Sequence, residues 1–430
     1  MALIKLIHRN LSRLNSTLLL RQCSSVCSKE DAIDWDYYTN PSNLVEIASN
    51  VMARNVHGDL KNVLEKLKEL IKVKDDPVQS KILKEALTPV LFWLPNKTHP
   101  RVAQNKSEEP VTIGKVGDKV HFTYFPSSFN NLTKRLNVLR TKHLGHMCGH
   151  RSYFLKGDLA LMEQALVRFA LSMLRKKGFQ MISVPDIVPR SFLENCGMRT
   201  ENKHSQVFHI DNSWAPDLCL AGTSEMALAA YLADETHNIS DLPIKLCAAS
   251  RCYRAEAKRG QMEKGIYRVH FFTKVEMFGI TSNESGEESE SLLEEFTSIQ
   301  KELFTDLGLH FKIQEMPPTE LGLPAYHKID MEAWIPTLKM YGEISSASNC
   351  TDYQSRRIGI KYNSSSGQTK FCHTVNATAC AIPRLLITIL ENFQNLDGSI
   401  NIPKPLQKYM QKEVIKDAFK EKMICMKPTP

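Results

Sequence analysis

Apolar residues set out the chain's elements before any motif is considered. A helical pattern begins at Leu44 and strengthens at Leu60, Val63, Leu64, Leu67, Leu70 and Ile71, until Asp75, Asp76 and Pro77 break it. A second pattern runs through Ile82, Leu83, Ala86, Leu87, Val90, Leu91 and Leu94, with Pro89 as a kink. Together they predict a helical hairpin. Residues 101–130 are polar, with Gly114 and Gly117, and read as a linker followed by a short strand around Val120–Phe125. Leu159, Met162, Ala165, Leu166, Phe169, Met173 and Leu174 then form one helical stripe, which Gly178 ends, and a strand follows to Pro185. Ser282–Ser291 reads as an acidic, serine-rich exposed loop. After it, Leu292, Leu293, Phe296, Ile299, Leu303 and Phe304 predict a helix on the outside of a sheet. His373 to about Ala381 reads as a strand and Pro383 as a helix start. Lys404, Lys408, Lys412, Lys416 and Lys420 align on one predicted helix face, a solvated one, with Glu413, Asp417 and Glu421 beside it.

The stretch Ser250–Gly279 reads as strand, charged loop, strand. Basic side chains in the loop are Lys258, Arg259 and Lys264. In the second strand, Tyr267, Val269, Phe271, Thr273 and Val275 are expected on one face, and Arg268, His270, Phe272, Lys274 and Glu276 on the other. One face of the hairpin would then gather Arg254, Glu256, Arg268, Phe272 and Glu276. Two fixed cations, two carboxylates and an aromatic ring suit a polyanion with a flat base and an amine-bearing partner.

Composition narrows the reading. The 430 residues are 42% hydrophobic and 24% charged, as in a soluble chain of about two domains. The net charge is +8, yet residues 1–29 hold Lys5, Arg9, Arg13, Arg21 and Lys29 and no acid. Without them the balance is 8 − 5 = +3, which is weak support for a nucleic-acid partner. That basic, serine-rich, acid-free segment has the character of a mitochondrial transit peptide, so mitochondrial import to the matrix is expected. No apolar run reaches the ~20 residues of a membrane helix, and no membrane partner is expected. Eleven cysteines without a CxxC pair read as reduced thiols. His143, His146, Cys148 and His150 are zinc-ligand types, but their stretch reads as a lead-in loop to the following helix. The chain holds neither GxxxxGK[ST] nor a dinucleotide fingerprint, so no phosphate-wrapping loop is expected.

The YRAE at Tyr253–Glu256 and the RVHFFTKVEMFG at Arg268–Gly279 resemble motif 2 of class II aminoacyl-tRNA synthetases, and among them seryl-tRNA synthetases of the animal mitochondrial form. ELGLPAYHKIDMEAWIP at Glu320–Pro336 and EISSASNCTDYQSRR at Glu343–Arg357 are similar to the same family. So are LPNKTHP at Leu94–Pro100, the helix-strand-proline outline ending at Pro185, and NATACAIPR at Asn376–Arg384, which resembles motif 3. The resemblance implies an α+β fold, a class II antiparallel sheet flanked by helices, with an N-terminal helical hairpin arm. It implies four regions: transit peptide at 1–29, short arm at 30–115, catalytic domain at 116–410 and basic tail at 411–430. Even a helix continuous from Leu44 to Ile71 would reach only about 40 Å, short for a family whose arm grips tRNA.

The resemblance further implies a serine–tRNA ligase that activates serine with ATP and transfers it to tRNA(Ser). Arg254, Glu276 and Arg384 would be catalytic, with Arg254 on the α-phosphate and Arg384 on the γ-phosphate. ATP would also meet Glu256, Arg268, Val269, Phe272 (stacked on adenine), Glu343, Ile344, Ser345 and Ser346. Glu343 and Ser346 would hold Mg2+ with the nucleotide. Serine would be read by Thr223, Ser224, Glu225, Arg254, Glu276, Asn376 and Thr378. In Thr223-Ser224-Glu225, an extended backbone would put Thr223 and Glu225 on one face, and a helix start would instead make Thr223 a cap. The partners implied are tRNA(Ser), serine, ATP and a second subunit, either identical or a synthetase-like paralogue. The alternative function is a catalytically silent paralogue serving as dimer partner or RNA-binding protein.

Overall fold

The computed structural model describes residues 29–416, apart from 57–58, 106, 202–204, 212, 214–216 and 257–264. All but Lys29 of the expected transit peptide, the hairpin-loop residues Lys258, Arg259 and Lys264, and Asp417, Lys420 and Glu421 lie outside the described residues. Among the described residues, no helix is long and apolar enough to cross a membrane.

The N-terminal arm is built chiefly from α1 (Leu44–Ala53), α2 (Leu60–Lys72) and α3 (Pro77–Leu91), preceded by a single turn at Trp35–Tyr38. The helical pattern from Leu44 is therefore two helices, not one, and Asn55 in a left-handed conformation turns the chain between them. Asp59 caps α2 and Asp76 caps α3, each side chain accepting from main-chain N–H groups in the first turn. Val63, Leu67 and Leu70 recur at helical spacing and bury themselves with Leu87 and Leu91 of α3. Pro89 is accommodated inside α3, two residues before its end.

The body of the chain is built on an eight-stranded sheet. Its strands are β1 (Val111–Val116), β2 (Gln180–Met181), β3 (Ile244–Tyr253), β4 (Phe271–Thr281), β5 (Phe311–Glu315), β6 (His327–Ile335), β7 (Met340–Thr351) and β8 (His373–Ala381). Their spatial order is β1-β5-β6-β7-β8-β4-β3-β2. Every pairing is antiparallel except β2 with β3. The strand expected around Val120–Phe125 is not formed. That stretch is irregular, with Phe125 fully exposed, and the sheet edge is taken by Val111–Val116 instead. The sheet thus begins before residue 116, and the arm ends before residue 111.

The helices of the body include α4 (Asp158–Lys176), α5 (Glu225–Tyr231), α6 (Glu288–Asp306), α7 (Tyr353–Ile358), α8 (Ile382–Asn392) and α9 (Lys404–Met410). The period of two decides which core each strand residue joins. Cys247, Val275 and Met277 pack with α4, α6 and α8 in the main core. Leu246, Ala248, Phe278 and Ile280 pack in a second core with α5 and the end of α7. Helix α6 lies so close to the sheet that a Cβ on Gly279 would meet the Leu292 Cδ2 at 2.7 Å and the Phe296 Cζ at 3.0 Å. Helix α6 also claims Glu288–Ser291, expected as exposed loop; Ser289 is buried there against His373.

The lysine-rich helix is likewise shorter than expected. It stops at Met410 with Gln411 left-handed, and Val414–Ile415 pairs with Ile400–Asn401 as a small ribbon. Lys412 instead pairs with Asp158 at the start of α4. The expected tail at 411–430 therefore begins with an element of the body. The 143–150 stretch is a series of turns, exposed except at Leu144, as the lead-in reading predicts.

Arg54 and Arg357 seat the arm on the body. Arg54 donates to the carbonyls of Asn96 (3.2 Å) and Gly322 (2.5 Å), and burial pulls its pKa down to about 10. Arg357 donates to the Phe92 carbonyl at 3.2 Å and stacks 3.4 Å from the Tyr353 ring centroid. Asn96, within LPNKTHP, donates to the carbonyls of Pro324 and Cys350.

Candidate active site

The β3–β4 hairpin and its neighbour β8 build a cleft in two halves. In β4, the alternation places Phe272, Lys274 and Glu276 together, as expected. It fails before Phe271, because 265–270 is not strand. His270 turns back to the Arg254 carbonyl at 2.8 Å, whereas Tyr267 and Arg268, expected on opposite faces, line the same cleft.

The first half is rich in arginine. It is lined by Arg254, Glu256, Tyr267, Arg268, Val269, Phe272, Glu343 and Arg384, together with Ile344 and Ser345. Arg384 enters from the first turn of α8, bonds the Glu343 carboxylate at 3.1 Å and lies 4.7 Å over the Tyr267 ring. Burial pushes the Glu343 carboxyl up, but Arg384, Lys328 and Arg254 outweigh it and hold the group below its ordinary value. Arg268 faces Glu256 at 3.5 Å. The Arg254 guanidinium sits 5.3 Å over the Phe272 ring. The Ile344 side chain belongs to the core, and the Ser345 hydroxyl bonds the Thr378 carbonyl and Gln300 of α6. Those two residues therefore offer the cleft their main chain. Ser346 bonds Asp330, whose carboxyl burial pushes upward despite the neighbouring Lys328.

The second half is small and polar. Thr223 precedes α5 and is not extended. Its hydroxyl accepts from the Glu225 N–H at 3.2 Å, a local turn bond at the helix start rather than the shared strand face, and the cap position itself falls one residue later. Ser224 occupies the cap position, fully buried, its hydroxyl without a partner among the described residues. Lys274 is buried between Glu276, with which it forms an ion pair, and the Thr223 hydroxyl at 2.7 Å. Thr378 donates to Glu276 at 3.3 Å and Asn376 to Glu225 at 3.2 Å. Gln354 of α7 donates to the same Glu225 oxygen at 2.6 Å while accepting from Thr374. Burial, and then repulsion by Glu276, push the Glu225 carboxyl up to about 7. Arg254 joins the halves, its Nε donating to the Gly222 carbonyl at 3.3 Å, one residue from Thr223.

Three residues of this constellation were not among those expected. Lys274 was visible in principle, since it shares the period-two face with Phe272 and Glu276. Tyr267 was hidden by the assumption that the strand extends to it. Gln354 carries no local signal, because it meets Glu225 across 129 positions of sequence.

Chemically, the first half can hold a polyanion with a flat ring. The second can hold a small zwitterion with a hydrogen-bonding side chain. The family of class II tRNA synthetase core domains (G, H, P, S and T) matches residues 208–393, which span the hairpin, β7, β8 and α8. The mitochondrial serine–tRNA ligase of Bos taurus is 48% identical over 317 residues, covering 74% of this chain and 61% of its own length. The chain thus spans about three fifths of that relative. The serine–tRNA ligase of Rubrobacter xylanophilus is 36% identical, with 81% of each chain covered. The crystal structure of seryl-tRNA synthetase from Pyrococcus horikoshii, complexed with ATP, superposes with a TM-score of 0.74 at 30% identity, covering 88% of both chains. With the class II sheet, the two-part cleft and these similarities in agreement, the chain belongs to the seryl-tRNA synthetase family.

Proposed function

We propose that this chain is a mitochondrial serine–tRNA ligase, forming seryl-adenylate from serine and ATP and passing the seryl group to tRNA(Ser). The observation that carries the reading is the continuity of the two halves: an arginine-rich cleft joined through Arg254 to a recess holding Glu225, Lys274 and Glu276. Arg254 would meet the α-phosphate and Arg384 the γ-phosphate, with adenine against Phe272 and the nucleotide held bent by Arg268 and Glu256. The serine carboxylate attacks the α-phosphorus, a new P–O bond forms and pyrophosphate leaves with the electron pair of the broken one. No protein nucleophile is required, so catalysis is positioning and stabilisation of charge around phosphorus. Glu343, half-exposed in the cleft, and Ser346 provide oxygen donors of the hard type that Mg2+ on a nucleotide accepts.

Thr223, Ser224, Glu225, Glu276, Asn376 and Thr378 would read serine. Its ammonium beside Glu225 would draw off the proton that burial keeps there, so binding itself creates the ion pair. Alanine would leave a buried acceptor unpaired, at a cost of about 1–3 kcal/mol. The same reading proposes a homodimer and import to the mitochondrial matrix. The test is ATP–pyrophosphate exchange with serine, alanine and threonine on the purified protein. Exchange with serine alone is the expected result. No exchange from folded protein would overturn the ligase reading in favour of a silent paralogue.

A further inference from the structure

Where the arm meets the body, three side chains from three separate segments converge away from the cleft. His99 comes from the segment leaving the arm, Glu290 from the first turn of α6 and His327 from the start of β6. One ligand atom of each lies within 4.8 Å of the others. The two imidazole rings are stacked, 4.8 Å between centroids and 18° between planes. Glu290 Oε2 is 2.9 Å from His327 Nδ1.

The surroundings are those of a built metal site. The other ring nitrogen of His327 faces Glu315 at 3.0 Å, and Glu315 is held by Arg101. A carboxylate on the far nitrogen of a histidine fixes its ring and raises its basicity as a ligand. The second oxygen of Glu290 accepts from Asn349 at 2.6 Å, which orients that carboxylate in turn. A cavity of about 500 Å3 opens beside the cluster, and both His99 and Glu290 line it. Water in it can complete a coordination shell, and an ion can enter through it.

We infer that His99, Glu290 and His327 bind a divalent transition ion of the Zn2+ class, tying the arm's exit segment to the sheet. Two imidazoles and one carboxylate with an open position are a zinc-type ligand set, and the imidazoles disfavour Mg2+. The ion takes the place of the hydrogen on His327 Nδ1, which leaves as a proton to solvent through the neighbouring cavity, while Nε2–H stays on Glu315. His99 turns out of its stack on the His327 ring to bring its own plane onto the ion, and gives up a 3.3 Å contact from the Arg101 N–H. The site is separate from the cleft and owes nothing to the ligase reading.

Co2+ reports such a site through its visible absorption, without ATP or serine present. Titration of the full chain with CoCl2 is expected to give one equivalent of low-coordinate absorption, lost in His99→Ala and in Glu290→Gln. ZnCl2 is expected to raise the melting temperature of the native chain by several degrees and to leave both variants unmoved. Because each protein is compared with and without metal, a variant of lower basal stability still gives an answer. Absence of the absorption in the native chain overturns the proposal. So does its retention in either variant, which would place the ion elsewhere, as on the exposed 143–150 stretch.

Discussion

Arginines serve opposite ends at the arm junction, where they are buried, and in the cleft, where they are partly exposed. At the junction, Arg54 and Arg357 direct their donors to main-chain carbonyls, and Arg357 also lies on the Tyr353 ring. In the cleft, Arg254, Arg268 and Arg384 sit over aromatic rings or beside carboxylates, on the walls of an open space. A cation whose terminal nitrogens are taken up by main-chain carbonyls closes an interface, because those donors are satisfied from within. A cation balanced by a carboxylate beside a void can exchange that partner for a phosphate oxygen. The environment, not the residue type, separates the structural arginines from those of the site.

The largest effect that would break this contrast is on activity. Arg254→Ala is expected to lower serine-dependent ATP–pyrophosphate exchange by roughly 10³-fold, about 4 kcal/mol. Its denaturation midpoint should hardly move; a variant that unfolds instead would put Arg254 with the junction arginines. Next, Arg54→Ala should destabilise the chain by about 3 kcal/mol, since it strips partners from buried carbonyls. Urea unfolding would measure the loss, and exchange by the protein that remains folded should persist. Gly279→Ala serves as a control for the packing beneath both regions. Forcing a methyl against Leu292 should cost about 1–3 kcal/mol, and adding Leu292→Ala should recover part of it in the same unfolding assay.

The smallest effect sharpens the picture of the polar recess. The Glu225 carboxyl is raised from 4.5 to about 7, so between those values the folded chain holds a proton that the unfolded chain has lost. Its contribution makes stability fall as pH rises through that window and is level on either side. Asp330, also pushed up, acts with the same sign at lower pH. Glu225→Gln should therefore remove the Glu225 part of the dependence measured by urea midpoints from pH 5 to 8, while Asp330 continues with the same sign and His99 and His373, whose pKa values burial lowers, with the opposite one. An unchanged slope would mean that Glu225 titrates as an ordinary carboxylate.

The same contrast shows what the sequence can disclose. The cleft was largely legible because its residues follow local rules. Phe272, Lys274 and Glu276 share a strand face, Arg384 opens a helix behind Pro383, and long family motifs surround them. The failures were failures of extent: the strand stops short of Tyr267, and the lysine helix stops at Met410. The junction was not legible. Arg54 reaches the Leu321 carbonyl across 267 positions, and a carbonyl carries no residue-specific signal for a reader to find. Gln354 was missed for the same reason, since only the folded sheet brings α7 beside Glu225.

One irregularity in β8 carries a further consequence. Val275 pairs with Cys380 and Glu276 with Thr378, so Ala379 stands unopposed between them. Ala379 works as a spacer that sets the phase between two sets of functional groups. Upstream, Asn376 and Thr378 are aligned to the polar recess; downstream, Arg384 is aligned to the arginine-rich half of the cleft. What this position must conserve is length rather than chemistry. Many small side chains could stand there, but deleting it would carry one set a residue out of step with the other while every functional side chain remained in the chain.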